Sequence, residues 1–221
     1  MVTHASSGTS RTEPSCHVCQ FINGRFCRHC RTTASLHQTK QEKTVMKTLV
    51  IASHPYPGQS RVIKALQQTA VNAKNVTVRN LETLYGSHMD GFDIREEQNA
   101  CENADRIVYL FPLHWFNLTP MLKAYLNEVW AYGWAFGPGG NALRNKEMLV
   151  VTSAGAGEHA YSAEGSVRST INDVLTPMKA SALYVGMKYL EPLVLYNAAG
   201  TDDKALNEFC EKFACCLENR R

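Results

Sequence analysis

The 221-residue chain has no apolar run long enough to span a bilayer, so a helical membrane protein is not expected. Its first residues lack the apolar core of a secretory signal, and the expectation is a soluble cytoplasmic protein. Basic residues form no stripe along the part rich in apolar residues, which argues against a nucleic-acid partner. The eight cysteines do not read as a disulfide framework. Cys16, Cys19, Cys27 and Cys30 crowd one end, while Cys101, Cys210, Cys215 and Cys216 are scattered and read as reduced thiols. Charge is sparse at 19% against 44% hydrophobic residues, so a well-buried core is easily supplied.

The first forty-five residues differ from the rest. They hold six basic residues and two acidic ones, which leaves 17 basic and 18 acidic residues of the chain's 23 and 20 for the remainder. They are rich in Ser, Thr, Gln, His and Arg and nearly empty of Leu, Ile and Val, too little apolar surface to offset backbone entropy. Residues 1–45 are therefore expected to be a disordered or artefactual leader, and 46–221 the globular domain. The alternative is a four-thiolate zinc site, since Cys16-x-x-Cys19 and Cys27-x-x-Cys30 have the pair spacing of one. Against it, the loop between the pairs is short and almost no apolar residue accompanies them.

From Met46 the chain alternates between short apolar runs and helical patterns. Lys47 to Ser53 reads as a buried strand, Arg61 to about Ala73 as a helix, and Val76 to Asn80 as a second strand. An irregular stretch from Gly86 to Phe92 leads to a short acidic helix near Glu96 to Asn103. Arg106 to Phe111 is a strand broken by Pro112, and Thr119 and Pro120 open an amphipathic helix. Glu147 to Ser153 is another strand, and Val167 to Ala182 a helix interrupted or kinked at Pro177. Val185 to Tyr196 supplies the last strand, and Asp202 to Leu217 the closing helix. Wholly apolar strands alternating with helices predict an α/β fold, a doubly wound five-stranded parallel sheet with helices on both faces.

Ligands of such sheets bind beyond the carboxyl ends of the strands, and three of those ends carry unusual sequence. The first, Ser53 to Arg61, sets a hydroxyl and free backbone N–H groups at a helix start, where a phosphate can bind. An ordinary capped turn would read the same way. The second, Phe111 to Asn117, places Trp115 and Phe116 directly after a buried strand. Two exposed aromatics suit a flat heteroaromatic cofactor, or else a core cap or a subunit interface. The third, Val151 to Tyr161, has small residues that let the backbone approach a ligand, with N–H groups for a heterocycle's carbonyls and a phenol at Tyr161. A half-buried loop tyrosine is the plainer account of Tyr161.

Taken in order, HPYP, FPLHWF, the stretch TPMLKAYLNEVWAYGWAFGPGGNAL and VTSAGAG resemble the flavodoxin-like NAD(P)H:quinone oxidoreductase family. The nearest likeness is to the ancillary oxidoreductase subunits of glutathione-gated potassium efflux systems, and it runs from Lys47 through the last helix. The resemblance implies that His54, Ser60, Arg61, Val62 and Ile63 hold the phosphate and ribityl chain of FMN, with FAD as the alternative. It implies that Pro112, Leu113, His114, Trp115 and Phe116 lie along the isoalloxazine ring. Thr152, Ser153, Ala154 and Gly155 would bond its pyrimidine side, and Tyr161 would be the catalytic phenol that stabilises the reduced flavin. Four positions depart from the family pattern: Ile63 stands where asparagine is frequent, Ala154 for glycine, His114 for glutamine, and Val167 at about the place of a histidine partner of the tyrosine.

The activity implied is a two-electron transfer from NAD(P)H through the flavin to a quinone or similar acceptor, both using one pocket. The loop from Tyr132 to Asn141 would wall that pocket, partly from a second subunit of a twofold homodimer. Two other functions remain open at this level. One is a regulatory subunit at a potassium efflux transporter on the inner face of the membrane. The other is a flavodoxin-like carrier of single electrons.

Overall fold

The computed structural model describes residues 45–218. The leader, its four cysteines and the zinc alternative lie outside them. Six strands form one all-parallel sheet: β1 (Thr48–Ala52), β2 (Val76–Asn80), β3 (Arg106–Pro112), β4 (Glu147–Ser153), β5 (Lys188–Tyr189) and β6 (Leu193–Leu195). Their order is β2-β1-β3-β4-β5, the flavodoxin-like order with the switch point between β1 and β3. β5 and β6 both pair β4. The first meets its start (Glu147 opposite Lys188) and the second its end (Ser153 opposite Leu195). The five expected strand positions are thus present, with the edge strand interrupted where Pro192 offers no N–H to the ladder.

The central strands are buried along their length because both faces are covered. Successive side chains point to opposite faces. Leu49, Ile51, Ile107, Tyr109 and Phe111 enter one core, and Val50, Ala52, Val108 and Leu110 enter the other. The second core is closed by α1 (Arg61–Val71) through Val62, Ile63, Leu66 and Ala70. The opposite face carries α2 (Leu81–Tyr85), α3 (Ile94–Glu102), α4 (Pro120–Val129), α5 (Ile171–Val174) and α6 (Thr176–Tyr184). The closing helix α7 (Asp203–Leu217) returns beside α1 through Leu206, Phe209, Phe213 and Leu217. Each fully buried side chain of this size stabilises the fold by about 1.5–3 kcal/mol.

Two elements differ from the sequence-based expectation. The helix expected from Val167 begins only at Ile171, where Thr170 and Asp173 form a reciprocal capping box. It breaks at Leu175, so that Pro177 falls in the first turn of α6, where its missing N–H costs nothing. The short helix α2 was not expected. Asn80 caps it, accepting from the Thr83 N–H at 2.8 Å. An ion pair fixes this corner: Arg79 on β2 meets the fully buried Glu97 on α3 at 2.7 Å and Glu96 at 2.9 Å, and the Tyr85 hydroxyl donates to Glu97. Burial, reinforced by Glu97, pushes the Tyr85 phenol up to about 12.

Candidate functional site at the carboxyl edge of the sheet

β1, β3 and β4 are neighbours, so the loops that follow them converge at one edge. The first loop passes through a single 3-10 turn, Pro57–Gln59, into α1. Ser60 caps α1 by position, yet its hydroxyl makes no cap hydrogen bond. It is buried at 7% exposure with no partner for its Oγ. The first-turn N–H groups of Arg61, Val62 and Ile63 have no intrahelical acceptor, as at any helix start. An orphaned buried hydroxyl beside them is what a bound phosphate would satisfy. His54, Ser60, Ile63 and Lys64 line one cleft of about 330 Å³ here, with Asn80 and Thr83 on its far wall.

The side chains of the first segment divide. Those of Val62 and Ile63 are packed in the core, so only their backbone faces the cleft. The Arg61 guanidinium is held on the Thr201 carbonyl at 2.6 Å and on Asp203 at 2.5 Å, tying α1 to the start of α7. Only the Arg61 N–H is left for an anion. Ser53 is also committed: its hydroxyl donates to Glu82 at 2.7 Å and lies 2.5 Å from the Thr119 hydroxyl. Because the Ser53 proton goes to the carboxylate, Thr119 donates to Ser53. This buried chain joins the end of β1 to α2 and to the N-cap of α4. Glu82's part in it is not legible from local pattern, because its partner is 29 residues away.

The second loop is a tight reversal. The His114 N–H donates to the Asn117 carbonyl at 3.2 Å and the Asn117 N–H to the His114 carbonyl at 3.0 Å. Trp115 (φ 47°) and Phe116 (φ 61°) are both left-handed, a conformation that glycine or asparagine adopts more readily. Trp115 is 93% exposed and Phe116 46%. Trp115 gains little from the fold itself and Phe116 is only half-buried, whereas a ring stacked on them would bury both further. Pro112 ends β3, and Leu113 is fixed through its N–H on the Ser153 carbonyl at 2.9 Å. The His114 ring turns toward the first loop, its centre 6.1 Å from that of His54 and 6.4 Å from that of Tyr56.

In the third loop the Thr152 hydroxyl is spent on the Phe111 carbonyl at 2.6 Å, and the Ala154 N–H on the Leu195 carbonyl at 2.8 Å. Ser153 is buried at the end of β4, its carbonyl taken by Leu113. The donors that remain lie one step further on. Among the described residues, the N–H groups of Gly155, Ala156 and Gly157 have no protein acceptor. A Cβ at Gly155 would meet nothing within 4 Å, so the approach is open. Tyr161 packs against Phe116 (6.4 Å) and Tyr196 (5.6 Å), and burial raises its phenol, which holds it protonated as a donor. Val167 lies on the same cluster and brings no titratable group. Tyr196, from the end of the last strand, is a member that no motif marked.

The three loops thus offer phosphate donors from the first, two exposed aromatics from the second and free backbone N–H groups from the third. These suit a phosphorylated planar heterocycle. Among the described residues no cluster of three or more His, Cys, Asp or Glu could hold a metal.

Residues 46–214 match the Flavodoxin_2 family, described as having a flavodoxin-like fold. General stress protein 14 of Bacillus subtilis is 41% identical over 160 residues, covering 72% of this chain and 90% of that protein. The glutathione-regulated potassium-efflux system ancillary protein KefF of Salmonella typhimurium is 37% identical over 159 residues, 72% of this chain and 88% of its own. Among solved structures, general stress protein 14 of Treponema denticola in complex with FMN matches with a TM-score of 0.72 and 32% identity, over 79% of this chain and 99% of that one. An NADPH-quinone reductase of P. pentosaceus matches with a TM-score of 0.72 and 27% identity, over 80% and 100%.

Proposed function

The chain belongs to the Flavodoxin_2 family, a family of flavodoxin-like NAD(P)H oxidoreductases and quinone reductases, and we propose that it is an FMN-dependent NAD(P)H:quinone oxidoreductase working as a homodimer. The observation that carries this reading is the pair Trp115 and Phe116, held left-handed and exposed between an orphaned Ser60 hydroxyl and the free N–H groups of Gly155 to Gly157. FMN supplies two-electron redox chemistry when bound. Ser60 and the N–H groups of Arg61, Val62 and Ile63 hold its phosphate, and Trp115 and Phe116 support the ring plane. The N–H groups from Gly155 onward face the pyrimidine edge, where negative charge develops on reduction. Tyr161 donates a hydrogen bond, and because Val167 stands at about the place of a histidine partner, protons come from water or another residue.

FMN rather than FAD is favoured by the FMN complex of the Treponema relative. The acceptor is a quinone or another flat electron-poor ring that replaces NAD(P)H on the same face, which predicts ping-pong kinetics. The dimer reading rests on an exposed apolar patch. Tyr132 (70% exposed) and Tyr184 (75%) line a groove of about 420 Å³ with Leu126, Trp130 and Phe136, and Leu183 beside Tyr184 in the chain is also exposed. Gly137 holds this loop, with φ 79° and an added Cβ only 2.5 Å from the Tyr132 ring. Sedimentation equilibrium tests the dimer. Purified protein that stays colourless and flavin-free after incubation with FMN and with FAD would sink the main reading.

A second reading is a regulatory subunit of a potassium efflux transporter, favoured by the likeness to KefF. It places the protein in the cytoplasm, peripheral to the inner face of the membrane. Among the described residues no helix is long and apolar enough to cross a membrane. Co-purification with a transporter supports this reading, and unchanged potassium efflux on deletion of the gene counts against it.

A further inference from the structure

Lys64 on α1 brings permanent positive charge to the wall of the phosphate end of the cleft. Arg61, the cation nearest the helix start, is turned away onto Thr201 and Asp203. His54 lines this cleft, and a second histidine from a neighbouring loop stands against its ring. His54 follows β1, His114 follows β3, and their ring centres lie 6.1 Å apart with the planes at 78°. Two ring N–H groups converging on one oxygen, each at about 2.8 Å, would span such a separation. The Tyr56 N–H donates to His54 Nδ1 at 3.0 Å, so the neutral His54 ring carries its proton on Nε2 and presents that nitrogen as a donor.

Resting on the FMN reading above, we propose that His54 and His114 form a proton-coupled clamp for the flavin phosphate, which takes up a proton as the anion binds and so selects a phosphorylated flavin over an unphosphorylated one. Without an anion His54 cannot easily carry charge. Burial lowers the His54 pKa, and His114 lowers it further, with Glu82 and the Tyr56 backbone opposing. A dianionic phosphate reverses that balance, because an opposite charge within hydrogen-bond reach favours the imidazolium. The other groups around His54 are accounted for. Glu82 on α2 is engaged with Ser53 through one oxygen, and Lys64 on α1 lines the cleft wall as a fixed cation.

The linkage has a definite sign. A group whose pKa rises on binding makes binding tighter at low pH and weaker as pH climbs toward its bound value. The phosphate monoester itself loses its second proton near pH 6, so a site with fixed charges would show flat affinity above pH 7. The apo protein is titrated with FMN and with riboflavin between pH 6.5 and 8, followed by flavin fluorescence. Calorimetry in buffers of different ionisation enthalpy counts protons. The expected result is an FMN dissociation constant that rises by up to about tenfold per pH unit, a riboflavin constant that stays flat, and net proton uptake with FMN only. The double variant His54→Gln/His114→Gln should bind FMN with no proton uptake. Flat FMN affinity without proton uptake in the wild type overturns the clamp. So does uptake that survives in the double variant, or uptake with riboflavin too. Failure to bind either flavin at any pH overturns the FMN reading instead.

Discussion

Trp115→Asn separates what the fold needs from what a ligand needs. Trp115 sits at φ 47° with 93% of its surface in solvent, so its side chain contributes little burial to the apo protein. A non-glycine residue in the left-handed region costs about 1–2 kcal/mol, and asparagine tolerates that region best among residues with a Cβ. The variant should therefore gain about 1 kcal/mol of apo stability, roughly 2–4 °C in Tm for a domain of this size. FMN binding should move the other way. Removing one aromatic platform from a stacked heterocycle costs about 1–3 kcal/mol, or roughly 5- to 150-fold in affinity. Urea unfolding of the apo protein and fluorescence titration with FMN measure the two effects. An apo variant less stable by more than about 0.5 kcal/mol would mean that Trp115 packs on the fold after all, and an unchanged FMN affinity would refute stacking at this turn.

Three further outcomes follow from the same geometry. Glu97→Ala should cost about 3 kcal/mol in urea unfolding, because it removes the buried partner of Arg79 and of the Tyr85 hydroxyl and leaves Arg79 only the exposed carboxylate of Glu96, while a surface carboxylate such as Glu208 tolerates the same change. Tyr85, Tyr189 and Cys101 are pushed up to about 12 in the folded protein by burial. Their folded values exceed the unfolded ones, so stability is intact below about pH 9 and is lost as pH rises toward 12. Phenolate absorbance should then appear together with loss of the far-UV signal, and phenolate formation in a still-folded protein would contradict this. Tyr161→Phe should lower kcat by about tenfold or more with a smaller change in KM, since the hydroxyl donates where charge develops. Equal losses in both would assign Tyr161 to substrate binding.

Much of the architecture was legible because it depends on local pattern. Runs such as Thr48–Ala52 and Glu147–Ser153 are apolar throughout, and only strands covered on both faces need that. Helix starts at Pro120 and Asp203 were marked by Thr119 and Asp202, whose side chains do accept the expected cap bonds. The last strand was expected to be continuous and is instead interrupted before Pro192. Illegible elements were those whose cause lies across the fold. The helix α2 is five residues long and has no periodicity to read. The late start of α5 turns on the reciprocal Thr170–Asp173 bonds rather than on the apolar residues around Val167.

The three loops of the site show the same division. Sequence alone pointed to the three strand ends, because ligands of a doubly wound parallel sheet bind beyond its carboxyl edge, while the strand order that makes them neighbours came from the tertiary structure. It identified Trp115, Phe116, Ser60 and Gly155 as residue types out of place in a core. Only the tertiary structure decided how each side chain is used. Arg61 looks like a phosphate ligand and is instead locked to Asp203. The Thr152 hydroxyl and the Ala154 N–H are consumed within the sheet, so the open donors begin at Gly155. His114 faces His54 across 60 residues of chain. Hydrogen-bond partners are set by distance in space. A motif fixes where the backbone goes, but which donors remain unsatisfied is decided only once every other element has taken its share.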